Sequence, residues 1–165
     1  MLIGKGNIDP LTPNATLVQQ IFSELEDVIL KDFMAEGVHY SRLLYDTLLM
    51  PWDLPTPVKA FPKDKHIRIE WNRDGILEAG EADFFSASEI SLSQLGFMLG
   101  TSSAVTRWRE VNGEKTGTDE DCVRLTLNKV AQAVGYKDEV EANNSKFKLK
   151  IGTAFVLLIF ERVAE

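Results

Sequence analysis

Between Leu99 and Gly113 the chain reads LGTSSAVTRWREVNG, and its functional groups are hydroxyls and guanidiniums. Thr101, Ser102, Ser103 and Thr106 offer short donors and acceptors, while Arg107 and Arg109 offer planar forks that match a phosphate or a guanine edge. Lys115 follows as a point charge. That mixture at helical spacing suits a nucleic-acid groove better than a reaction centre. The remaining titratable groups are scattered. His39 and His66 have no Glu, His or Cys at ligand spacing, and the chain holds no phosphate loop, dinucleotide fingerprint or serine elbow. Asp119-Glu120-Asp121 has the look of a metal cluster, yet Thr118 ahead of it reads as a helix N-cap. That cap puts the carboxylates in the first turn, where the helix dipole favours them. The single cysteine, Cys122, rules out an internal disulfide and a multi-cysteine zinc site, and its apolar setting predicts a buried, inert thiol. These residues predict a chain that is not an enzyme, with no metal and no cofactor.

The elements that must position the 99–113 stretch follow from hydrophobic spacing. Leu17, Val18, Ile21, Phe22, Leu25, Val28, Ile29 and Phe33 recur at three- and four-residue steps, predicting a helix over 14–36 with Gly37 as its C′ stop. GVHYSRLLYDTLLM predicts a second helix halting at Pro51, the two forming an αα-hairpin. PWDLPTPVKAFP holds four of the six prolines and marks a boundary, with Trp52 and Phe61 pinning it to a core. Two regions result: 1–62, helical with a proline-rich linker, and 63–165. In KHIRIEW, Ile67, Ile69 and Trp71 alternate with His66, Arg68 and Glu70, a half-buried strand. The pattern from Ala82 to Gly135 is helical. KFKLKI alternates again, and AFVLLIF (Ala154–Phe160) reads as a buried strand with no polar side. It pairs either with KHIRIEW inside one subunit or with another chain. The fold expected is α+β, mainly α. It has a helical N-terminal part, a helix-turn-helix five-helix-like core, and a small antiparallel sheet from residues 66–72 and 146–160.

SLSQLGFML supplies the first helix of that core. Ser91 is its candidate N-cap, Leu92, Leu95 and Leu99 point inward, and Gly96 sits where helices cross. Gly100 reads as a turn glycine with φ > 0, Thr101 or Ser102 as the next cap, and Val105 and Trp108 as packing residues. Leu99-Gly100, Arg107-Trp108, Asn112-Gly113 and the closing Ala131-Gln132-Ala133-Val134-Gly135 resemble the Cro/C1-type (XRE) helix-turn-helix family over about residues 82–136. The interval from Gly100 to Val105 is one residue shorter than is usual in the family, and Gly96 stands where alanine is usual. The resemblance implies a sequence-specific DNA-binding transcriptional regulator, a phage-type repressor or the antitoxin of a toxin–antitoxin pair. Thr101, Ser102, Ser103, Thr106, Arg107, Arg109 and Lys115 would then face double-stranded DNA. Lys59, Lys63 and Lys65 would be further phosphate contacts, and a homodimer would span two half-sites.

Charge weighs against that picture. The 165 residues carry 25 acidic and 18 basic groups, a net charge of -7. Residues 1–56 hold -5 of it, residues 57–73 hold +3, residues 74–113 hold -4 and residues 114–165 hold -1. A phosphate backbone is repelled by the N-terminal third and met only by local basic patches. The alternative is an acidic protein-binding adaptor or inhibitor built on the same scaffold without DNA, its N-terminal helices serving as the partner surface. No apolar run approaches the roughly 18 residues of a spanning helix, and the N-terminus has no apolar signal core. A cytoplasmic chain with no membrane partner is expected.

Overall fold

A computed structural model describes residues 6–73 and 88–164. The helical pattern and the family resemblance begin at Ala82, so their first residues lie outside the described part, as does the end of the turn expected after Trp71. The described elements are α+β and mainly α.

The apolar spacing near the N-terminus does build a helix, α1 (Ala15–Glu24), which buries Val18 and Ile21. It does not run on to residue 36. Leu25–Ile29 is a π-helical turn and Lys31–Phe33 a 3-10 turn, after which α2 (Glu36–Arg42) begins. The N–H of Leu30 reaches the carbonyl of Leu25 (2.9 Å), so one extra residue is fitted into the turn. That slips the helical register: Leu25 and Leu30 are buried while Val28, expected inside, is 71% exposed. Gly37 is not a stop but lies within α2. The second expected helix ends well before Pro51, because Leu44 and Tyr45 take left-handed φ values of 50° and 61°.

Among the described residues, five strands, β1 (Gly6–Ile8), β2 (His66–Trp71), β3 (Ser88–Ile90), β4 (Leu149–Thr153) and β5 (Phe155–Phe160), make two antiparallel sheets. One has the order β1-β4-β3, and the other is the ribbon β2-β5. In the ribbon Ile67 stands opposite Ile159 and Ile69 opposite Leu157, so AFVLLIF does pair with KHIRIEW inside the subunit. The single sheet expected from 66–72 and 146–160 is thus split, and the chain changes sheets at the buried Ala154. Trp52 of the proline-rich stretch lies against the rings of His66 and Phe160, with centroids 5.1 and 6.1 Å away.

Between β3 and β4 in sequence lie α3 (Leu92–Gly100), α4 (Ser103–Val111), α5 (Cys122–Ala133) and α6 (Glu139–Asn144). Ser91 caps α3 in a full capping box with Gln94. Leu92, Leu95 and Leu99 are buried as their three- and four-residue spacing requires. Gly96 is where α3 meets α5: a Cβ there would stand 2.8 Å from Cδ1 of Leu127. Gly135 ends the α5 region at φ 98°, a conformation that favours glycine. Val18, Ile21, Leu25 and Leu30 share one buried cluster with Leu92, Leu95, Val105, Val130 and Leu149. Residues on both sides of the proline-rich stretch therefore build the same core. No described helix is long and apolar enough to cross a membrane.

Candidate functional site

The residues singled out between Thr101 and Lys115 are placed by α4, and most of their polar atoms are turned to local work. Ser102 is the N-cap, its Oγ accepting the N–H of Val105 (3.4 Å). Thr101 Oγ1 donates to the carbonyl of Met98 (2.9 Å), and Thr106 Oγ1 to that of Ser102 (3.1 Å). Gly100 has no positive φ. It is the last residue of α3, and Thr101 closes that helix with ordinary right-handed geometry. Val105 and Trp108 are buried, as expected of packing residues.

Both arginines are committed to the fold. Arg107 Nη1 donates to the carbonyl of Phe33 (2.8 Å), tying α4 to the 3-10 turn. Arg109 makes a two-pronged bond to Asp121, Nε to Oδ2 at 2.8 Å and Nη2 to Oδ1 at 3.0 Å. Asp121, not Thr118, is the N-cap of α5: its Oδ1 accepts the N–H of Val123 (2.9 Å), and its Oδ2 that of Gly117 (3.3 Å). Thr118 instead accepts the N–H of Glu120 and donates to the carbonyl of Lys115. Burial pushes the Asp121 carboxyl up, but Arg109 and the two N–H donors outweigh it and hold it below the usual carboxylate range. Burial raises the neighbouring Cys122 thiol to about 11, so it is un-ionised at neutral pH. Ser103 is exposed, and Lys115 is half-buried in the loop after α4.

A second feature lies at the start of α4. The π-turn, α2 and the α3–α4 connection enclose a cleft of about 360 Å³. Its floor is Leu25, Leu30, Leu99 and Val105, all buried, and Met34, Val38 and Met98 wall it. Polar groups enter from three directions. Glu26 and Arg42 come from the π-turn and α2, Ser41 from α2, and Ser103 and Ala104 bring the first-turn N–H groups of α4. Arg42 is held by Glu26 (3.1 Å) and Asp27 (2.7 Å). Ser41 Oγ donates to the carbonyl of Val38 (2.9 Å). The volume, the apolar walls and the few converging polar groups are those of a small-molecule site, and π-turns recur at functional sites. Sequence spacing did not reveal this cleft. The five-residue step from Leu25 to Leu30 was its only trace, hidden inside a pattern that also fits an ordinary helix.

No protein-family model matches the chain, and no curated protein matches it. Among solved structures, the chain is similar to a putative type II methyltransferase from Anaeromyxobacter dehalogenans. The likeness has a TM-score of 0.51 at 18% identity and covers 95% of this chain and 48% of that one. The chain thus spans about half the length of the protein it matches, and the likeness is one of fold. It overturns the expectation of a DNA-binding transcriptional regulator, and with it the adaptor alternative and the expectation of a chain that is not an enzyme. The physical reason agrees: the two arginines that carried the regulator reading are bonded to Phe33 and Asp121.

Proposed function

We propose that this chain works in methyl-group transfer and that the cleft beside the π-turn is where it holds the methyl donor. The observation that carries the reading is the fold likeness to a methyltransferase over 95% of the chain. A sulfonium donor bearing a nucleoside supplies an activated methyl group when bound. The described strands are all paired antiparallel, so they form no crevice at the carboxyl ends of a parallel sheet, the usual nucleotide site of α/β folds. The cleft between helices has the matching donor set instead. Leu25 and Leu30 in the floor and Met98 in the wall offer apolar contacts to a flat base, and Glu26 and Ser41 offer acceptors to sugar hydroxyls. The first-turn N–H groups of α4 suit a carboxylate, and the Glu26 carboxylate suits a cationic sulfur. The resemblance of 82–136 to Cro/C1-type domains belongs to this proposal as a scaffold.

Isothermal titration of the full chain with S-adenosylmethionine and with S-adenosylhomocysteine tests the reading. Binding is expected, and Ala35→Trp, which fills the mouth of the cleft from an exposed position, is expected to abolish it while leaving the melting temperature unchanged. No heat with either ligand on folded protein, or equal binding by Ala35→Trp, refutes the cleft as the donor site.

A further inference from the structure

Helix α2 ends against its own sequence. In LLYDTLLM, residues 43–50, leucine and methionine predominate, and no glycine or proline stops a helix before Pro51. The backbone nevertheless turns back after Leu43 in a Schellman motif. The N–H of Tyr45 donates to the carbonyl of Tyr40 (2.7 Å), and that of Leu44 to the carbonyl of Ser41 (3.1 Å). Such a motif ordinarily carries glycine in its left-handed position, but here Leu44 stands at φ 50° and Tyr45 at φ 61°. Each holds its Cβ close to the next carbonyl oxygen, so the motif is disfavoured by its own residues. Contacts from elsewhere hold it. Arg68 of β2 donates to the carbonyl of Leu44 (2.7 Å) and to Asp46 (2.8 Å), Arg73 also pairs with Asp46, and the Leu44 side chain is buried. Just ahead of the break, α2 contributes Val38, Ser41 and Arg42 to the cleft.

We infer that Leu44–Tyr45 is a two-state hinge, held broken by Arg68 and Asp46, whose release lets α2 run on towards Pro51 and shifts one wall of the cleft. Left-handed residues of this kind gather at ligand clamps and switches, where the surroundings hold what the local backbone resists. A continuous helix over residues 43–50 would be about 12 Å long. Trp52, just beyond it, is packed against His66 and Phe160, so the added length is taken up by moving α2. Val38, Ser41 and Arg42 move with it, and the cleft described above belongs to the broken form. A ligand that fits that form favours the break, and the clamp at Arg68 favours the ligand, by one and the same coupling. The effect on the cleft rests on the donor reading proposed above; the hinge itself does not.

The order of glycine and alanine at residue 45 reads the state of the hinge. Alanine is the more stable of the two in a helix, and glycine in a left-handed position. In the full chain Tyr45→Gly should show a urea midpoint about 0.5 M above that of Tyr45→Ala. The order should invert when Arg68→Gln is added. Asp46→Asn loosens the same clamp from its other side, and takes the place of Arg68→Gln if circular dichroism shows that variant unfolded. Hydrogen exchange over residues 43–50 should slow in the folded release variant, where helix replaces the turn. Titration with S-adenosylhomocysteine reads the cleft: release should weaken binding roughly fivefold or more, and excess ligand should return exchange to the parent's rate. No heat with the parent protein refutes the donor site alone, and exchange with the glycine–alanine order still decides the hinge. Three results overturn the hinge: alanine above glycine in the parent, an order that release leaves unchanged, or faster exchange over 43–50 on release. Equal ligand binding by parent and release variant overturns its coupling to the cleft.

Discussion

Replacing Asp121 by Asn removes the charge that Arg109 binds while keeping a side chain that caps α5. The Asp121 carboxylate is 3% exposed and the Arg109 guanidinium 30%, so the pair lies between the surface and the interior. Exposed pairs contribute about 0–1 kcal/mol, and breaking a buried one costs about 3–5 kcal/mol. For this geometry a loss of about 2 kcal/mol is expected for Asp121→Asn. Asp121→Ala also removes the acceptor for the Val123 N–H, so it should lose about 1 kcal/mol more. The pH dependence follows from the same contacts. Arg109 and the N–H groups of Val123 and Gly117 hold the Asp121 carboxyl below its unfolded value despite its burial. Its contribution is therefore complete above the ordinary carboxylate range and is lost as pH falls through the lowered native value. Urea unfolding followed by tryptophan fluorescence at pH 7 and at about pH 2.5 checks both points. The deficit of Asp121→Asn should shrink at the lower pH. An Asp121→Asn variant within about 0.5 kcal/mol of the parent at pH 7 refutes the reasoning, as does a deficit that pH leaves unchanged.

At Gly96, alanine normally stabilises a helix by about 1 kcal/mol, but here its Cβ would meet Leu127 Cδ1 at 2.8 Å. Gly96→Ala should lower stability by about 1 kcal/mol, and Leu127→Val in the same chain should recover part of it; urea titration of the parent and the two variants decides. With its thiol buried and raised to about 11, Cys122 should resist a thiol-specific disulfide reagent at pH 8 in the native state and react at once in denaturant. Rapid native labelling, read by absorbance, would contradict the burial.

Much of the C-terminal helical region was legible because its signals are short-range. The capping box of Ser91 and Gln94 closes within four residues, and Leu92, Leu95 and Leu99 share a helix face by spacing alone. The burial of Val105, Trp108 and Cys122 and the strand character of KHIRIEW and AFVLLIF were legible for the same reason. What tertiary structure decided involves partners distant in sequence. Arg107 looked free for a nucleic acid until the fold set the Phe33 carbonyl, 74 residues away, 2.8 Å from it. Arg109 and Asp121 stand 12 residues apart, and only the loop between α4 and α5 makes them a pair. The π-turn at Leu25–Ile29 reads as ordinary helix in sequence, since the slip of one residue is set by what Leu25 and Leu30 pack against. Alternation in β2 showed that one face is buried but not which. The Leu44 carbonyl and Asp46 drew Arg68 inward to a half-buried position and left Ile67 and Ile69 outside, because a partly desolvated guanidinium with its bonds satisfied costs less than an unpaired one.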